Sequence, residues 1–232
     1  MKTHVLAIGF ALAAGAVNAQ GFQGGDVGVD LTRNTGDFTQ GHYYGSATYG
    51  ITPSLITQVD LGYTDYYGVN FGGARTIGGH LGYQLSPTAV IGGFWGFEDW
   101  PRGNYQAYGI EAKTSAGTIA GNPLTLEGYL VNYSQNGGSY SFGGGGIDAG
   151  LQVSPASTLK LGLFSSGGDL DNDRVSIGMN YAIGNGLNVG LDAGHVFQPG
   201  SDENTFGLNL SYKLGNGATF KERNFTSFLP GL

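Results

Sequence analysis

The residue types that most often do chemistry are scarce in this chain, and their spacing matches no common catalytic motif. Nucleophilic catalysis by serine needs a histidine within hydrogen-bond reach and a third group that orients the imidazole. Beyond residue 20 the histidines are His42, His80 and His195, and no Gly-x-Ser-x-Gly motif accompanies them. His42 and His195 fall close to the ends of predicted strands, where an ordinary loop or headgroup-facing role is expected. His80, in phase with Gly78 and Gln84, is the one histidine that the pattern places on a polar strand face.

Metal sites are no better supported. The chain has no cysteine and no His-Glu-x-x-His motif. Asp169, Asp171 and Asp173 alternate like the start of a calcium loop. However, Arg174 and Asn180 stand where such a loop needs a glycine and a bidentate glutamate, so a solvated acidic loop is expected.

Phosphate-bearing ligands are also disfavoured. The glycine run at 143–146 lacks the lysine and the following helix of a phosphate-binding loop. The net charge is −7 and the isoelectric point is about 4.8, which leaves no basic surface for nucleic acid. We therefore expect no cofactor, no metal, no nucleic-acid partner and no enzymatic activity.

The first residues have the pattern of an export signal. Lys2 precedes a short apolar run at 5–17, and Val17-Asn18-Ala19 supplies small residues of the type that signal peptidase reads. The run is shorter than the roughly 20 apolar residues of a membrane-spanning helix. We therefore predict a cleavable signal peptide, 1–19, with cleavage after Ala19, and export to the cell outer membrane.

The composition of the chain favours strands over helices. The 232 residues include 45 glycines and 14 tyrosines, and only 12% of the residues are charged. Glycine opposes helix formation, whereas aromatic residues favour strands. Because 40% of the residues are hydrophobic, the composition disfavours a disordered glycine-rich chain, which would lack such residues.

Hydrophobicity alternates with a period of two residues, which is the signal of half-buried strands. Between Leu55 and Tyr63, apolar residues and threonine alternate with polar residues and glycine. The same alternation recurs at 26–32, 187–193 and 206–213. Runs of about ten residues with this period predict strands that have one apolar face and one polar or glycine face.

The ends of these strands repeat one another. Several strands end in a tyrosine on the apolar phase that precedes a Thr-Pro, a Ser-Pro or a Gly-Asn-Gly turn. The tyrosines with this shared register are Tyr49, Tyr83, Tyr181 and Tyr212. Tyrosine suits the boundary between lipid and water, so we predict that these four form an aromatic girdle at the periplasmic rim of a barrel.

The spacing of the turns predicts six hairpins and about twelve strands between residues 20 and 214. The segment from Ser115 to Pro123 is predicted to be a turn, the longest of those on the short-turn side. The predicted strands are 22–33, 40–51, 55–66, 73–85, 89–99, 104–114, 124–134, 139–153, 158–166, 173–183, 186–197 and 204–214.

The distribution of polarity between the two strand faces separates a membrane barrel from a soluble one. About twelve strands enclose a lumen too wide for side chains alone to fill. A wide polar lumen with an apolar exterior belongs in lipid, where only a closed barrel satisfies the backbone of every strand. We predict an all-β, closed, antiparallel, up-and-down transmembrane barrel, with a soluble all-β fold as the alternative.

The strand phase also predicts which charged residues face the lumen. Carboxylates outnumber bases in this set, and unpaired carboxylates require water. A wet, acid-biased lumen would favour cations or small neutral solutes over anions. The alternative is a lumen closed by pairing between glutamate and lysine side chains. The predicted lumen-lining residues are Asp26, Asp30, Asp60, His80, Glu98, Glu111, Lys113, Glu127, Asp148, Lys160, Asp192 and Lys213.

The last predicted strand carries a short motif that resembles a known assembly signal. Thr205, Gly207, Leu210 and Tyr212 have the order polar residue, glycine, then alternating apolar or aromatic residues. With the leader and the hairpin count, the chain resembles the small porin-like outer-membrane β-barrel proteins of Gram-negative bacteria. The resemblance implies contact with outer-membrane lipid and with the barrel-assembly machinery through the last strand. It also implies a channel for small solutes or cations.

One segment departs from that family pattern, because a tail of residues 215–232 follows the motif that usually ends the chain. The tail can be a periplasmic appendage outside the barrel, an extra partial strand, or a plug that blocks the lumen from the periplasmic side. Three functional hypotheses remain open: a passive, porin-like diffusion channel, a non-conducting structural or surface-interaction barrel, and a lipid hydrolase that uses His80.

Overall fold

The computed structural model describes residues 21–36, 39–67, 72–101, 103–200 and 202–229. The predicted signal peptide, 1–19, lies outside these ranges. The strands are β1 Gly21–Asn34, β2 Thr39–Gly50, β3 Leu55–Tyr67, β4 Ala74–Ser86, β5 Ala89–Trp100, β6 Gly103–Ile119, β7 Asn122–Gln135, β8 Ser141–Gln152, β9 Ser157–Gly168, β10 Asp173–Gly184, β11 Leu187–Phe197 and β12 Glu203–Gly215.

The twelve strands form one closed antiparallel barrel. Each strand pairs with its neighbours in the chain, and β1 pairs with β12 from Gly24↔Gly215 to Asn34↔Thr205. Closure matters physically because an open sheet edge would leave backbone groups without hydrogen-bond partners in lipid. The predicted fold class, a closed up-and-down barrel of about twelve strands, is confirmed.

Connections of two kinds separate the ends of the barrel. The short-turn end holds the connections at 51–54, 87–88, 120–121, 153–156 and 185–186, together with the start of β1 and the end of β12. The loop end holds the other six connections. Asn185 and Gly186 both have positive φ, at 51° and 85°, which is the conformation that a two-residue hairpin turn requires.

The prediction of a long turn from Ser115 to Pro123 is wrong. Strand β6 continues to Ile119 and β7 begins at Asn122, so only Ala120 and Gly121 form the turn. The sequence pattern is broken because the register between the two strands shifts between Ser115 and Thr118. A bulge of this kind interrupts the alternation of side chains without ending the strand.

The apolar side chains lie on the outside of the barrel and the polar ones on the inside. Ile177 and Leu191 are 64% and 62% exposed, whereas Thr48 and Asp60 are fully buried. This distribution is the inverse of a soluble barrel and suits a lipid-facing exterior. Tyr49, Tyr83, Tyr181 and Tyr212 are also exposed on the outer face, beside the short-turn end.

Residues 216–229 of the tail turn back into the barrel, so of the three alternatives the structure has the plug inside the lumen. Gly215 and Gly217 have φ values of 55° and 80°, and these left-handed conformations reverse the chain after β12. The segment then runs towards the loop end and finishes in a single helical turn, α1 Phe225–Phe228. Asn224 caps this turn, with its side chain accepting a hydrogen bond from the backbone N–H of Ser227. Residues 216–229 are called the plug below.

No helix in the described part of the chain is both long and apolar enough to cross a membrane.

Candidate functional site in the barrel lumen

The side chain of Gln58 on β3 forms hydrogen bonds with the plug backbone, in the way that the backbone of a neighbouring strand would. The Oε1 of Gln58 accepts from the backbone N–H groups of Thr219, at 2.9 Å, and Phe220, at 3.0 Å. Its Nε2 donates to the carbonyl of Phe220 at 2.9 Å. At the turn, the N–H of Ala218 donates to Asp26 at 2.8 Å. These side chains satisfy plug groups that would otherwise be buried without partners.

Arg223 is the principal ionic contact between plug and wall. Its Nε lies 3.1 Å from Oε2 of Glu111 on β6, and its Nη2 lies 2.5 Å from Oε1 of Glu127 on β7. The guanidinium also lies over the ring of Tyr129, 4.0 Å from the centroid. Burial disfavours the charge, but the carboxylates of Glu127 and Glu111 outweigh it and raise the pKa of Arg223 above its ordinary value. Arg223 therefore ties the plug to two strands of the wall.

His80 lies beneath the plug, between two carboxylates. Its Nε2 is 2.6 Å from Asp60 and its Nδ1 is 2.5 Å from Glu111. The ring also stacks on Phe220 of the plug, with centroids 5.6 Å apart. Because both ring nitrogens are occupied, neither is free to activate a serine hydroxyl, which a hydrolase would require. The geometry therefore gives no support to the hydrolase hypothesis.

Two further ion pairs hold opposite sides of the plug. Lys221 lies 2.8 Å from Asp148 on β8, and Glu222 lies 2.7 Å from Nε2 of His42 on β2. The expectation of an ordinary loop or headgroup-facing role for His42 is wrong, since its ring is buried and faces the lumen. The alternation could have shown this, because Tyr49 on the same strand faces outward and even-numbered residues must then face inward.

The end of the plug packs into an aromatic cluster at the loop end. The ring of Phe228 stacks on Phe164 at 5.8 Å and on Tyr129 at 5.6 Å. Side chains of Phe228 and Leu229 are fully buried there. A Cβ at Gly144 would lie 3.1 Å from the ring of Phe164. The glycine run of β8 therefore makes room for aromatic rings.

Glu98 on β5 holds the plug through its carboxylate. Its two oxygens accept hydrogen bonds from the backbone N–H of Phe225, at 2.8 Å, and from the indole of Trp100, at 2.9 Å. The carboxylate is buried, and these donors replace the water that it has lost.

The plug leaves a cavity of about 540 Å³ along one side of the lumen. It lies chiefly between the plug and strands β8 to β12, β1 and β2. The lining includes Asp26 and Lys213 in the short-turn half and Gln40 and Arg174 beside the loop end, so the cavity follows the barrel axis. The plug is therefore eccentric and does not fill the barrel.

The lining of this cavity is balanced in charge. Six carboxylates, Asp26, Asp30, Glu127, Asp148, Asp192 and Glu222, face it together with six cationic side chains, Lys113, Lys160, Arg174, Lys213, Lys221 and Arg223. Sequence reasoning missed Arg174, Lys221 and Arg223. The phase of β10 could have found Arg174, whereas the two plug residues lie in a segment without a strand pattern.

The predicted lumen residues divide into two groups. Eight of the twelve line the cavity: Asp26, Asp30, Lys113, Glu127, Asp148, Lys160, Asp192 and Lys213. The plug covers or contacts the other four, and these are buried: Asp60, His80, Glu98 and Glu111.

The four residues of the assembly motif follow the alternation of β12. Thr205 is buried, and Gly207 lies on the inner face against the carboxylate of Asp192. Leu210 and Tyr212 are exposed on the outer face. The role of this motif in assembly stays a prediction.

Among the described residues, no group of three or more His, Cys, Asp or Glu side chains is arranged to hold a metal ion. In the loop of Asp169, Asp171 and Asp173, the carboxylate of Asp169 accepts from the backbone N–H of Ser141 at 2.7 Å.

Solved structures of outer-membrane channels share this fold. The KdgM porin in complex with disordered oligogalacturonate matches with a TM-score of 0.63 at 7% identity, over 81% of this chain and 98% of that chain. The NanC porin matches with a TM-score of 0.60 at 7% identity, over 80% and 98%. The COG4313 outer membrane channel from Pseudomonas putida F1 matches with a TM-score of 0.54 at 17% identity, over 86% and 96%.

No family model and no curated protein matches the sequence. At these identities the likeness is one of fold. The chain is a closed 12-strand β-barrel with a fold similar to that of the KdgM and NanC porins.

Proposed function

We propose that this protein is an outer-membrane channel for the passive diffusion of small polar solutes, and that its own C-terminal plug narrows the pathway. The observation that carries the proposal is the cavity of about 540 Å³ that runs beside the plug. Its polar and charged lining is hydrated, because isolated charges are too costly to bury without water or a partner.

The plug sets the width of the pathway. It is held by buried ion pairs at Arg223, by the hydrogen bonds of Gln58 and by the aromatic cluster around Phe228. A twelve-stranded barrel without it would have a lumen too wide for side chains to fill. The plug therefore restricts passage to solutes that fit along the β8–β12 wall.

The plug also sets the ionic character of the pathway. The lumen residues predicted from strand phase include eight carboxylates and three lysines, to which the wall adds Arg174. Lys221, Glu222 and Arg223 give the plug a net charge of +1, and the plug also covers Asp60, Glu98 and Glu111, so that fewer carboxylates face the cavity. The cation preference predicted from the wall is therefore expected to be weak in the intact protein and stronger when the plug is displaced.

The nature of the solute is inferred from the lining and from fold relatives. The KdgM porin has been solved in complex with disordered oligogalacturonate, a polar solute. Polar passage through this chain is supported by the Asn, Ser, Asp, Lys and Arg side chains of its cavity.

Single-channel recording in planar bilayers tests the proposal. Purified protein should give discrete conductance steps with little preference between small cations and anions. A barrel that is folded, as judged by heat-modifiable gel mobility, and yet silent at every voltage would contradict a channel and favour the non-conducting structural or surface-interaction barrel. The stable docking of the plug is the observation that keeps this second function open.

Export and assembly complete the proposal. We place the mature protein in the outer membrane, after cleavage of the signal peptide behind Ala19. Lipid would contact the apolar exterior, and the barrel-assembly machinery would engage β12 through Thr205, Gly207, Leu210 and Tyr212.

A further inference from the structure

Beside the cavity, the side chains of one lining residue, Arg174, and of a buried neighbour, Thr205, have polar atoms without hydrogen-bond partners. The Nε of Arg174 on β10 and the Oγ1 of Thr205 on β12 are both buried without a hydrogen-bond partner among the described residues. Both point at the same inner-face glycine, Gly194 on β11. A Cβ on Gly194 would lie 2.7 Å from Thr205 Oγ1 and 3.5 Å from Arg174 Nε. Two hydrogen-bond donors thus meet over a position that has no side chain.

The carboxylate of Asp192 lies near this pair of donors, two residues away along the inner face of β11. Asp192 precedes Gly194 by two residues on β11, so both belong to the inner face. Its side chain lies over Gly207, where a Cβ would be only 2.3 Å from Oδ1. Gly207 follows Thr205 by two residues on the same face of β12, so the carboxylate and the two donors are separated by about 7 Å along the strands.

The carboxylate and the cations of this wall are kept apart. Among the described residues, Asp192, Arg174 and Lys160 have no ion pair with one another or with any other group. Gly178 stands between Lys160 and Asp192 in the register, so no side chain bridges them. Leaving charges of opposite sign unpaired in a confined space costs free energy unless water or a solute satisfies both.

The arrangement selects among classes of solute. A simple anion at Arg174 would be opposed by the carboxylates of Asp192 and Asp148, which act on that guanidinium. A simple cation at Asp192 would be opposed by Arg174 and Lys160. A neutral polyol would leave both charges without a counter-charge. A solute with a carboxylate and an ammonium group a few ångströms apart satisfies both ends.

We propose that the cavity holds a binding site for small zwitterions of the amino-acid type, with the carboxylate at the guanidinium of Arg174 and the ammonium at Asp192, both of which line the cavity. This inference rests on the proposed function, because it takes the cavity as the solute pathway. The site would make the channel selective for dipolar solutes over ions of either sign.

Equilibrium dialysis of the full-length protein in detergent tests the site without requiring conduction. The probes are L-serine, glycerate, which replaces the ammonium by a hydroxyl, and ethanolamine, which lacks the carboxylate. Saturable serine binding should be about tenfold tighter than that of either analogue, since each analogue loses one charge-assisted contact. Equal binding of serine and glycerate, or no saturable binding of serine, would overturn the proposal.

Variants locate the binding. Arg174→Gln should weaken serine binding about tenfold. Asp192→Asn should also weaken serine binding, and the ratio of the affinity for glycerate to the affinity for serine should rise. Arg75→Gln, at an exposed residue of β4 outside the cavity lining, is the matched control and should bind serine normally. Heat-modifiable mobility checks folding, and Asp192→Asn serves if Arg174→Gln does not fold. Serine binding by a silent barrel would refute the channel alone, whereas conduction without serine binding would refute the site alone.

Discussion

Arg223 of the plug and Glu127 of strand β7 form a buried ion pair, with Nη2 2.5 Å from Oε1. The two residues are 96 positions apart in the sequence. The pair holds the C-terminal plug, which follows the last strand, inside the barrel. The lumen of this protein is therefore defined by two parts, the strand wall and a covalently attached plug.

Replacing Arg223 by glutamine should release the plug. The change removes the guanidinium from both carboxylates, so that among the described residues Glu111 keeps only its ion pair with His80 and Glu127 only that with Lys113, at 3.6 Å. Breaking a buried pair costs up to about 3–5 kcal/mol. We expect larger or more variable single-channel conductance and faster proteolysis near residue 223. Arg75→Gln removes an exposed cation and should change neither. Unchanged conductance and protease resistance in the Arg223 variant would show that the ion pair does not hold the plug.

Ending the chain after Gly215 should open the lumen and change its selectivity. Conductance should rise at least about twofold, because the segment that occupies the lumen is gone. The reversal potential in a salt gradient should shift towards that of cations, since the plug's net charge of +1 is lost and the carboxylates of Asp60, Glu98 and Glu111 are uncovered. Heat-modifiable mobility shows whether the shortened barrel folds. A folded barrel with the same reversal potential as the intact protein would contradict this account of the lumen charge.

Phe228→Ala should weaken plug docking without weakening the barrel. The side chain is fully buried between Phe164 and Tyr129, and removing a buried phenylalanine commonly costs about 3–5 kcal/mol. Hydrogen exchange of the plug amides should accelerate while that of the strands stays slow. Phe206→Ala, at a lipid-facing residue that is 61% exposed, is the control and should leave plug exchange unaltered.

Two glycine substitutions test the fit between wall and plug. A Cβ at Gly62 would lie 2.5 Å from Oε1 of Glu222 and 2.9 Å from Cε1 of His42, so Gly62→Ala should break the ion pair between these residues. At Gly79 the nearest atom would be 4.0 Å away, and Gly79→Ala should be tolerated. Proteolysis of the plug should be faster in the first variant only. The same protection in both would argue that Glu222 does not contribute to docking.

Mass spectrometry of the protein purified from outer membranes should give a mature N-terminus at Gln20. This follows from the small residues at 17–19, which suit signal peptidase. A chain that retains Met1, or one that begins elsewhere, would refute cleavage after Ala19.

The barrel could be predicted because its determinants are local. Alternation between residues such as Val59 and Asp60 assigns each strand face, and the Ser-Pro and Asn-Gly turns mark where the strands end. The same phase could have placed His42 and Arg174 in the lumen had it been extended to every strand. The bulge between Ser115 and Thr118 was missed because it contains Gly117, which has a φ of 94°, and a glycine at such a break marks a turn as readily as a bulge within a strand.

The sequence by itself determined a closed barrel with an apolar exterior and acidic inward positions, because side-chain alternation and turn chemistry act over a few neighbouring residues. Only the tertiary structure decided the place of the tail and hence the charge of the lumen. The contacts of Arg223 with Glu111 and of Glu222 with His42 join residues 112 and 180 positions apart. No local pattern encodes such pairs, since they form only when barrel closure brings the wall around the plug.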